Sequence, residues 1–456
     1  MSRLVVVSNR VSVPKAQSAG GAQGGLAIAL LAALRESRGI WFGWSGEETD
    51  EFEGKIDFQR HDGVTTATID LEPQDVEEYY NGYANRTLWP LFHFRIDLAE
   101  FEREFGKGYE RVNERFAQNL IPLVEPEDLI WVHDYHLMPL GERLRSLGAK
   151  NRIGFFLHIP WPPTSLFVSL PYHSRLVRTM LSYDVIGFQT VQSLDSFLYY
   201  CEKELGVEVD GNTIRFEGRS IRADAFPIGV DFAEFTAFEG SEEARVAEER
   251  ILSSSRGRKV IIGVDRLDYS KGLPERFDAV GRFFDLHPER TAKTLFIQVA
   301  PPSRQDVGSY QEIRAELESM AGRINGARSE VDLVPIRYVN QGYPRRELFG
   351  FYRAADVGLV TPLRDGMNLV AKEYVAAQNG ENPGVLVLSQ FAGAADQLDA
   401  ALSVNPYSHE SMTHTIREAL DMPLDERVDR WRTMMENLRQ QDVVWWRDRF
   451  INALKE

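Results

Sequence analysis

The sequence predicts an α/β protein built as two Rossmann-like, doubly wound domains facing each other across a cleft. Three observations predict it. Short, wholly apolar runs alternate with longer amphipathic stretches, the alternation restarts in the second half, and 456 residues exceed what one core holds. In the first half, Leu4–Val7, Leu129–His133, Ile153–Leu157 and Val185–Phe188 read as buried strands. Gly25–Arg35, Leu137–Leu147 and Val191–Leu205 read as the helices between them. In the second half, Lys259–Val264, Leu295–Val299, Pro335–Val339, Val357–Thr361 and Val385–Leu388 are strands, with helices at Gln311–Ile324 and Asn368–Gln378.

The break falls in Ile228–Arg258. There Pro227-Ile228-Gly229 closes one half, and the charged stretch Glu242–Glu249 reads as a helix. The expected domains are therefore 1–228 and 229–441. A last helix within 442–456 carries Trp445, Trp446, Phe450 and Ile451, which need cover. The sequence leaves open whether that helix returns to the first domain.

Composition bounds the function. With 43% hydrophobic and 26% charged residues, the chain is an ordinary globular one. Its net charge of −16 repels the nucleic-acid backbone and anionic membranes, so neither is expected as a partner. Cys201 is the only cysteine, which excludes an internal disulfide and a multi-cysteine zinc site. No window approaches the roughly 20 apolar residues of a membrane span, and MSRLVVVSNR is too short an apolar start for a secretory signal. A cytoplasmic enzyme is expected. An anionic substrate would require basic groups gathered locally against the overall charge.

Open parallel sheets bind ligands beyond the carboxyl ends of their strands. The first such loop holds Arg10 and then Gly20-Gly21-Ala22-Gln23-Gly24-Gly25 at a helix start, where backbone amides suit an anion. Its spacing is neither the dinucleotide fingerprint nor a Walker loop. A plain flexible turn is the alternative. The second loop, His133-Asp134-Tyr135-His136, offers Asp134 to sugar hydroxyls; a metal site through the same residues, or histidines bonded to nearby backbone, are the other readings. In the third, His158-Ile159-Pro160-Trp161-Pro162-Pro163, prolines stiffen a loop that presents a carbonyl or imidazole, or else merely turns the chain. The fourth, Asp265–Gly272, places Arg266 and Lys271 at a strand–helix junction as a fork and a point charge for a diphosphate. Pro301-Pro302-Ser303-Arg304 adds another arginine after a strand. In Thr361–Glu373, Asp365 and Gly366 precede a helix start fit for phosphate, with Glu373 one turn in for ribose or for a helix salt bridge. No Asp-x-Asp occurs, so a metal-bridged diphosphate has no evident ligand pair.

Tyr79-Tyr80-Asn81-Gly82, Trp131–His136, Gly154–Pro160, Val264–Arg276, Ala300–Arg304, Ala321–Gly326 and Gly358–Gln378 together resemble the trehalose-6-phosphate synthase family, retaining glycosyltransferases of the two-domain GT-B fold. The resemblance runs from Arg3 to the final helix. It implies transfer of glucose from a nucleoside-diphosphate glucose, UDP-glucose foremost, to C1 of glucose 6-phosphate, without metal or other cofactor. It implies an acceptor-binding first domain and a donor-binding second, with Arg10, Tyr80, Asp134 and Arg304 holding the acceptor. Gly24, Gly25, Arg266 and Lys271 would bind the donor diphosphate. Tyr343 would meet the base, and Leu369, Val370, Ala371, Lys372 and Glu373 would cradle phosphate and ribose. Asp365 and His158 would hold the transferred glucose, with Trp89 and Ile159 selecting the anomer. Arg266, Lys271, Asp365 and His158 form the expected catalytic group, working by front-face substitution. The loop Ala16–Gly25 is longer than in that family. The sequence does not fix the oligomeric state, a homo-oligomer (dimer or tetramer) being one reading, and the donor base stays open because bases are often read by backbone groups. Rival readings are a different acceptor on the same scaffold, such as glycerol 3-phosphate or a pseudo-sugar, and a non-catalytic sugar-phosphate sensor.

Overall fold

Continuous apolar runs bounded by turns become the inner strands of two sheets, because only a strand covered on both faces can bury every side chain. The computed structural model describes residues 3–11, 30–31, 34–35, 38–61, 63–303 and 308–456. It divides into two units: one extends to Ile228 and includes Val444–Glu456, and the other contains Gly229–Val443.

The first unit holds strands β1 (Leu4–Arg10), β2 (Ile40–Glu48), β3 (Asp57–His61), β4 (Val64–Leu71), β5 (Leu129–His133), β6 (Arg152–Phe156), β7 (Val185–Phe188), β8 (Glu208–Asp210), β9 (Thr213–Phe216) and β10 (Arg219–Ala225). Their order is β3-β4-β2-β1-β5-β6-β7-β10-β9-β8. Neighbours from β4 through β10 run parallel. Antiparallel β3 finishes one edge, and β9 with β8 finishes the other. Every residue of β5 and of β7 is buried, whereas the edge strand β8 is polar and ties Glu208 to Arg215 at 2.9 Å. Charged edges of this kind resist pairing with another chain.

The second unit holds β11 (Lys259–Val264), β12 (Thr294–Val299), β13 (Ile336–Val339), β14 (Val357–Val360), β15 (Val385–Ser389) and β16 (Leu402–Val404). They form an all-parallel sheet in the order β13-β12-β11-β14-β15-β16. In both sheets the chain steps outward from a central strand and then restarts on that strand's other side. The reversal lies between β1 and β5 in the first sheet and between β11 and β14 in the second. At such a point the flanking helices diverge, and a crevice opens beyond the strand ends.

The terminal helix Val443–Lys455 sets Trp446, Phe450 and Leu454 on one stripe at i+4 spacing. Trp446 and Phe450 lie 5.0 and 4.6 Å from the Trp131 ring of β5, and Leu454 gives its carbonyl to Arg152 at 3.0 Å. Of the other two aromatic or branched residues there, Trp445 is only half-buried under Arg449 and Ile451 is half-buried. The helix expected at Leu137–Leu147 is interrupted: a 3-10 turn at Tyr135–Leu137 precedes a shorter helix, Leu140–Ser146, with Pro139 at its start. A proline lacks the N–H that would continue a helix through it. Val76–Leu88 forms a π-helix, in which the Trp89 amide reaches back to the Ala84 carbonyl.

Candidate active site

At the switch point of the second sheet, the loop after β11 and the loop after β14 are bonded to each other. The Leu363 amide donates to the Ser270 carbonyl at 2.8 Å. A 3-10 turn at Tyr269–Lys271 is capped by Asp268, which accepts from the Ser270 amide and hydroxyl and from the Tyr310 hydroxyl. Gly272 follows with φ +64°, and a side chain there would lie 2.3 Å from the Thr361 carbonyl, so glycine is required by both conformation and space. This turn aims Lys271 Nζ at Asp365 Oδ2, 2.5 Å away, with both side chains mostly covered. Asn368 donates to the same carboxylate oxygen at 3.0 Å while its own oxygen caps the Ala371 amide. Arg266, on the same loop, is exposed.

Asn368 opens helix Leu369–Ala377 from a left-handed conformation, φ +88°. The first amides of a helix have no intrahelical acceptor, so those of Leu369 and Val370 are donors of the kind that suits an anion. The Ala371 amide is taken by the cap instead. Glu373 is buried and accepts from Arg345 at 3.1 Å; burial pushes its carboxyl up, opposed by that guanidinium. Tyr343 stands after β13, accepting from Gln341 at 2.7 Å and edge-on to Phe351.

Lys372 departs from its expected place in the phosphate cradle. Its side chain is fully buried and donates to Gln397 at 2.5 Å. Burial lowers this ammonium from its ordinary 10.5 to about 7. Between those values the unfolded chain holds the proton and the folded one does not, so this group's penalty is full below pH 7 and fades as pH rises toward 10. Lys372→Met is accordingly expected to raise the melting temperature at pH 6 and to lose that gain by pH 10, as read from melts across that range.

In the first unit, the switch-point loops follow β1 and β5. Arg10 ends β1 with its guanidinium 5.7 Å from the Trp44 ring centre; Trp44 meets Tyr80 edge-on at 5.6 Å, and Tyr80 stacks on His136 at 5.9 Å. The expected acceptor residues Arg10 and Tyr80 are thus joined through a row of rings. Asp134 closes β5 at φ +75°, a conformation that side chains rarely adopt. Its carboxylate accepts the His158 amide at 3.2 Å. Strain held at a strand end marks a site whose geometry the surrounding fold imposes. Asp134→Gly is expected to unfold at a higher temperature than Asp134→Ala, by about 1 kcal/mol in stability, because both lose the carboxylate and only alanine keeps the strain. Equal melts would remove strain from this account.

His158 and His133 stack, with His133 Nδ1 3.0 Å from His158 Nε2, so His133 bonds another side chain rather than backbone. Burial lowers His158 from 6.5 to about 3, so the ring is neutral at physiological pH. Ile159 and Trp89 are both buried, the latter packed on Tyr135. Gly24, Gly25 and Arg304 lie outside the described residues. Among the described residues, no group of three or more His, Cys, Asp or Glu side chains is placed to hold a metal ion, and no helix is long and apolar enough to cross a membrane.

Two arginines that brace these loops are given no role by the motifs, although Arg276 closes the Val264–Arg276 stretch. Arg276 is fully buried and joins Asp265 at 2.5 Å, Gln298 at 2.8 Å, Thr361 at 3.0 Å and the Lys271 carbonyl at 3.3 Å. Arg345 holds Glu373 and also pairs with Glu234 at 2.9 Å. The one available signal was their charge on otherwise apolar helix faces.

Doubly wound sheets with cations, strained turns and a helix start at their switch points are suited to phosphate-bearing ligands. Comparison with known proteins gives the family: residues 2–456 match Glycosyltransferase family 20. The chain is 48% identical over 457 residues to a trehalose-6-phosphate synthase of Sinorhizobium fredii, covering 100% of this chain and 98% of that one. Its fold matches the UDP-forming α,α-trehalose-phosphate synthase of Burkholderia xenovorans in complex with glucose-6-phosphate, with TM-score 0.95, 47% identity, and 100% of each chain covered. A trehalose-6-phosphate structure from E. coli bound with UDP-2-fluoro glucose matches with TM-score 0.93 and 43% identity, covering 100% of this chain and 99% of that one. The chain belongs to glycosyltransferase family 20, and its likeness to the trehalose-6-phosphate synthases extends over its whole length.

Proposed function

We propose that this enzyme transfers glucose from UDP-glucose to C1 of glucose 6-phosphate with retention, forming trehalose 6-phosphate and UDP, without a metal. The observation that carries the reading is the Lys271–Asp365–Asn368 cluster set against the amides of Leu369 and Val370 at a switch point, in a chain 47% identical to a synthase solved with glucose-6-phosphate. Lys271, Arg266 and the helix start would stabilise charge developing on the departing diphosphate. Glu373, fixed by Arg345, would accept from the ribose hydroxyls, and Tyr343 would face the base. Arg10 and Arg304 would pair with the acceptor phosphate, with Tyr80 and Asp134 on its hydroxyls. Gly24 and Gly25 belong to the donor side in this reading.

Retention by double displacement needs a carboxylate free to attack. Asp365 is a poor nucleophile because one oxygen accepts from both Lys271 and Asn368. Front-face substitution fits better: the acceptor C1 hydroxyl bonds to the glucose anomeric carbon as the diphosphate bond breaks on the same face. The hydroxyl proton passes to the leaving diphosphate oxygen. Catalysis is then positioning and charge stabilisation.

The test is a coupled assay with glucose 6-phosphate against UDP-, ADP- and GDP-glucose, with and without a chelator. UDP release and an α,α-linked product unaffected by chelation are expected. Transfer only to glycerol 3-phosphate, or none at all, would replace this reading by one of its rivals.

A further inference from the structure

The residue after β7, Gln189, is 3% exposed and belongs to no motif read from the sequence. Its amide orientation is fixed by chemistry. Its Oε1 lies 2.9 Å from the Ile228 backbone N–H, which can only donate, so Nε2 is the end facing His158 Nδ1 at 3.2 Å. An amide nitrogen only donates, so His158 Nδ1 is an acceptor and carries no proton. Burial keeps the ring neutral, which places its single proton on Nε2. That proton points at His133 Nδ1, 3.0 Å away, so His133 in turn carries its proton on Nε2. One backbone amide thereby sets the tautomers of two histidines through a single glutamine. The amide belongs to Ile228, the last residue of the first unit before the chain passes into the second.

The same His158 donates its backbone N–H to Asp134. His158 is thus held at three points: both ring nitrogens and its amide. We infer that Gln189 is a positioning residue of the transfer site, locking His158 into the tautomer with an acceptor at Nδ1 and tying its loop to the chain crossing at Ile228. This rests on the reading of His158 as a residue that holds the transferred glucose. Both ring nitrogens are engaged, so neither is free for a sugar hydroxyl, and His158 would serve the sugar through the fixed place of its ring and backbone. Gln189 itself need touch no substrate; it acts through the imidazole.

Gln189→Glu is nearly isosteric and reverses the logic. One carboxylate oxygen still accepts from Ile228, but the other now faces Nδ1 as an acceptor, so His158 must take a proton there. Gln189→Met keeps the volume and imposes neither tautomer. Histidine-selective ¹⁵N labelling, with His158 assigned by its loss in His158→Asn, reads the proton position directly. The unaltered enzyme is expected to show an unprotonated Nδ1, Gln189→Glu a protonated one, and Gln189→Met a mixed signal. Turnover in Gln189→Glu is expected to fall about 100-fold, the scale of a misplaced positioning group, with KM for glucose 6-phosphate within about threefold. A protonated Nδ1 in the unaltered enzyme would overturn the inference, as would near-normal turnover in Gln189→Glu once its tautomer is seen to have switched. Should Gln189→Glu not fold, the Gln189→Met signal decides: an unmixed, unprotonated Nδ1 there overturns the inference too. If the unaltered enzyme transfers no glucose to glucose 6-phosphate, the functional reading fails, while the labelling experiment still decides whether Gln189 sets the tautomer.

Discussion

Lys271→Ala is expected to lower kcat by about 10²–10³-fold, the loss seen when one donor to a developing oxyanion is removed, while melting stays close to that of the unaltered enzyme. The separation follows from how the turn is built. Tyr269–Lys271 is held by the Asp268 cap and by Tyr310, not by the lysine side chain. The Lys271 carbonyl, which Arg276 uses, survives the substitution. Asp365 keeps Asn368 and some access to water, so no fully buried charge is stranded. If the ammonium acts on the leaving diphosphate, kcat and kcat/KM fall together, because the interaction is made in the transition state. Lys271→Arg should recover only part of the rate, since a longer planar fork spreads its charge and does not centre it where the compact ammonium stands. Steady-state kinetics beside a thermal melt decide the matter, and turnover within tenfold of the unaltered enzyme would take Lys271 out of the mechanism.

The sequence revealed the inner strands because burial on both faces leaves an unbroken apolar run, as in LIWVH of β5 and VGLV of β14. It hid strands whose pattern is mixed. In β2, IWFGWSGEE, a glycine and a polar tail interrupt the run; β4, VTTATIDL, is rich in threonine. The edge strand β8 is exposed and β9 beside it buries only Ile214, so neither carries a clear core signal. The π-helix Val76–Leu88 was illegible because its period is not the one that apolar spacing reports.

The site divides in the same way. Lys271 and Asp365 were legible as candidates because they stand in the loops that follow buried strands, between strand and helix. Lys372 misled because adjacency on a helix says nothing of direction: successive residues point about 100° apart, and this one faces Gln397. Arg345 lies 28 residues from Glu373, and Arg276 lies 85 from Thr361. Partnerships of that span exist only once the sheet has brought strand ends together.

That span makes Arg276 the place where stability and turnover meet. Arg276→Met is expected to cost about 3–5 kcal/mol, because Asp265 would remain buried and charged with its guanidinium partner gone. Asp265 has no way out to water: it lies at the end of β11, and burial already pushes its carboxyl up against the pull of Arg276. The site is also built around the arginine. A side chain at Gly263 would lie 2.6 Å from its Nη1 and 2.4 Å from Gln298 Oε1, so the strand gives up a side chain to admit it. If the loss is a stranded charge, removing that charge should return part of it. Asp265→Asn combined with Arg276→Met is therefore expected to be more stable than Arg276→Met alone, by a coupling of about 1–3 kcal/mol. Denaturant melts of the two single variants and the double variant measure this; a double variant no better than Arg276→Met would mean that packing, not charge, was lost. Turnover should not return with stability. Arg276 binds Thr361 at the end of β14 and the Lys271 carbonyl after β11, so it sets the spacing of the two loops on which Lys271 and Asp365 stand. A double variant that regains stability yet stays slow would separate the two duties of one buried side chain.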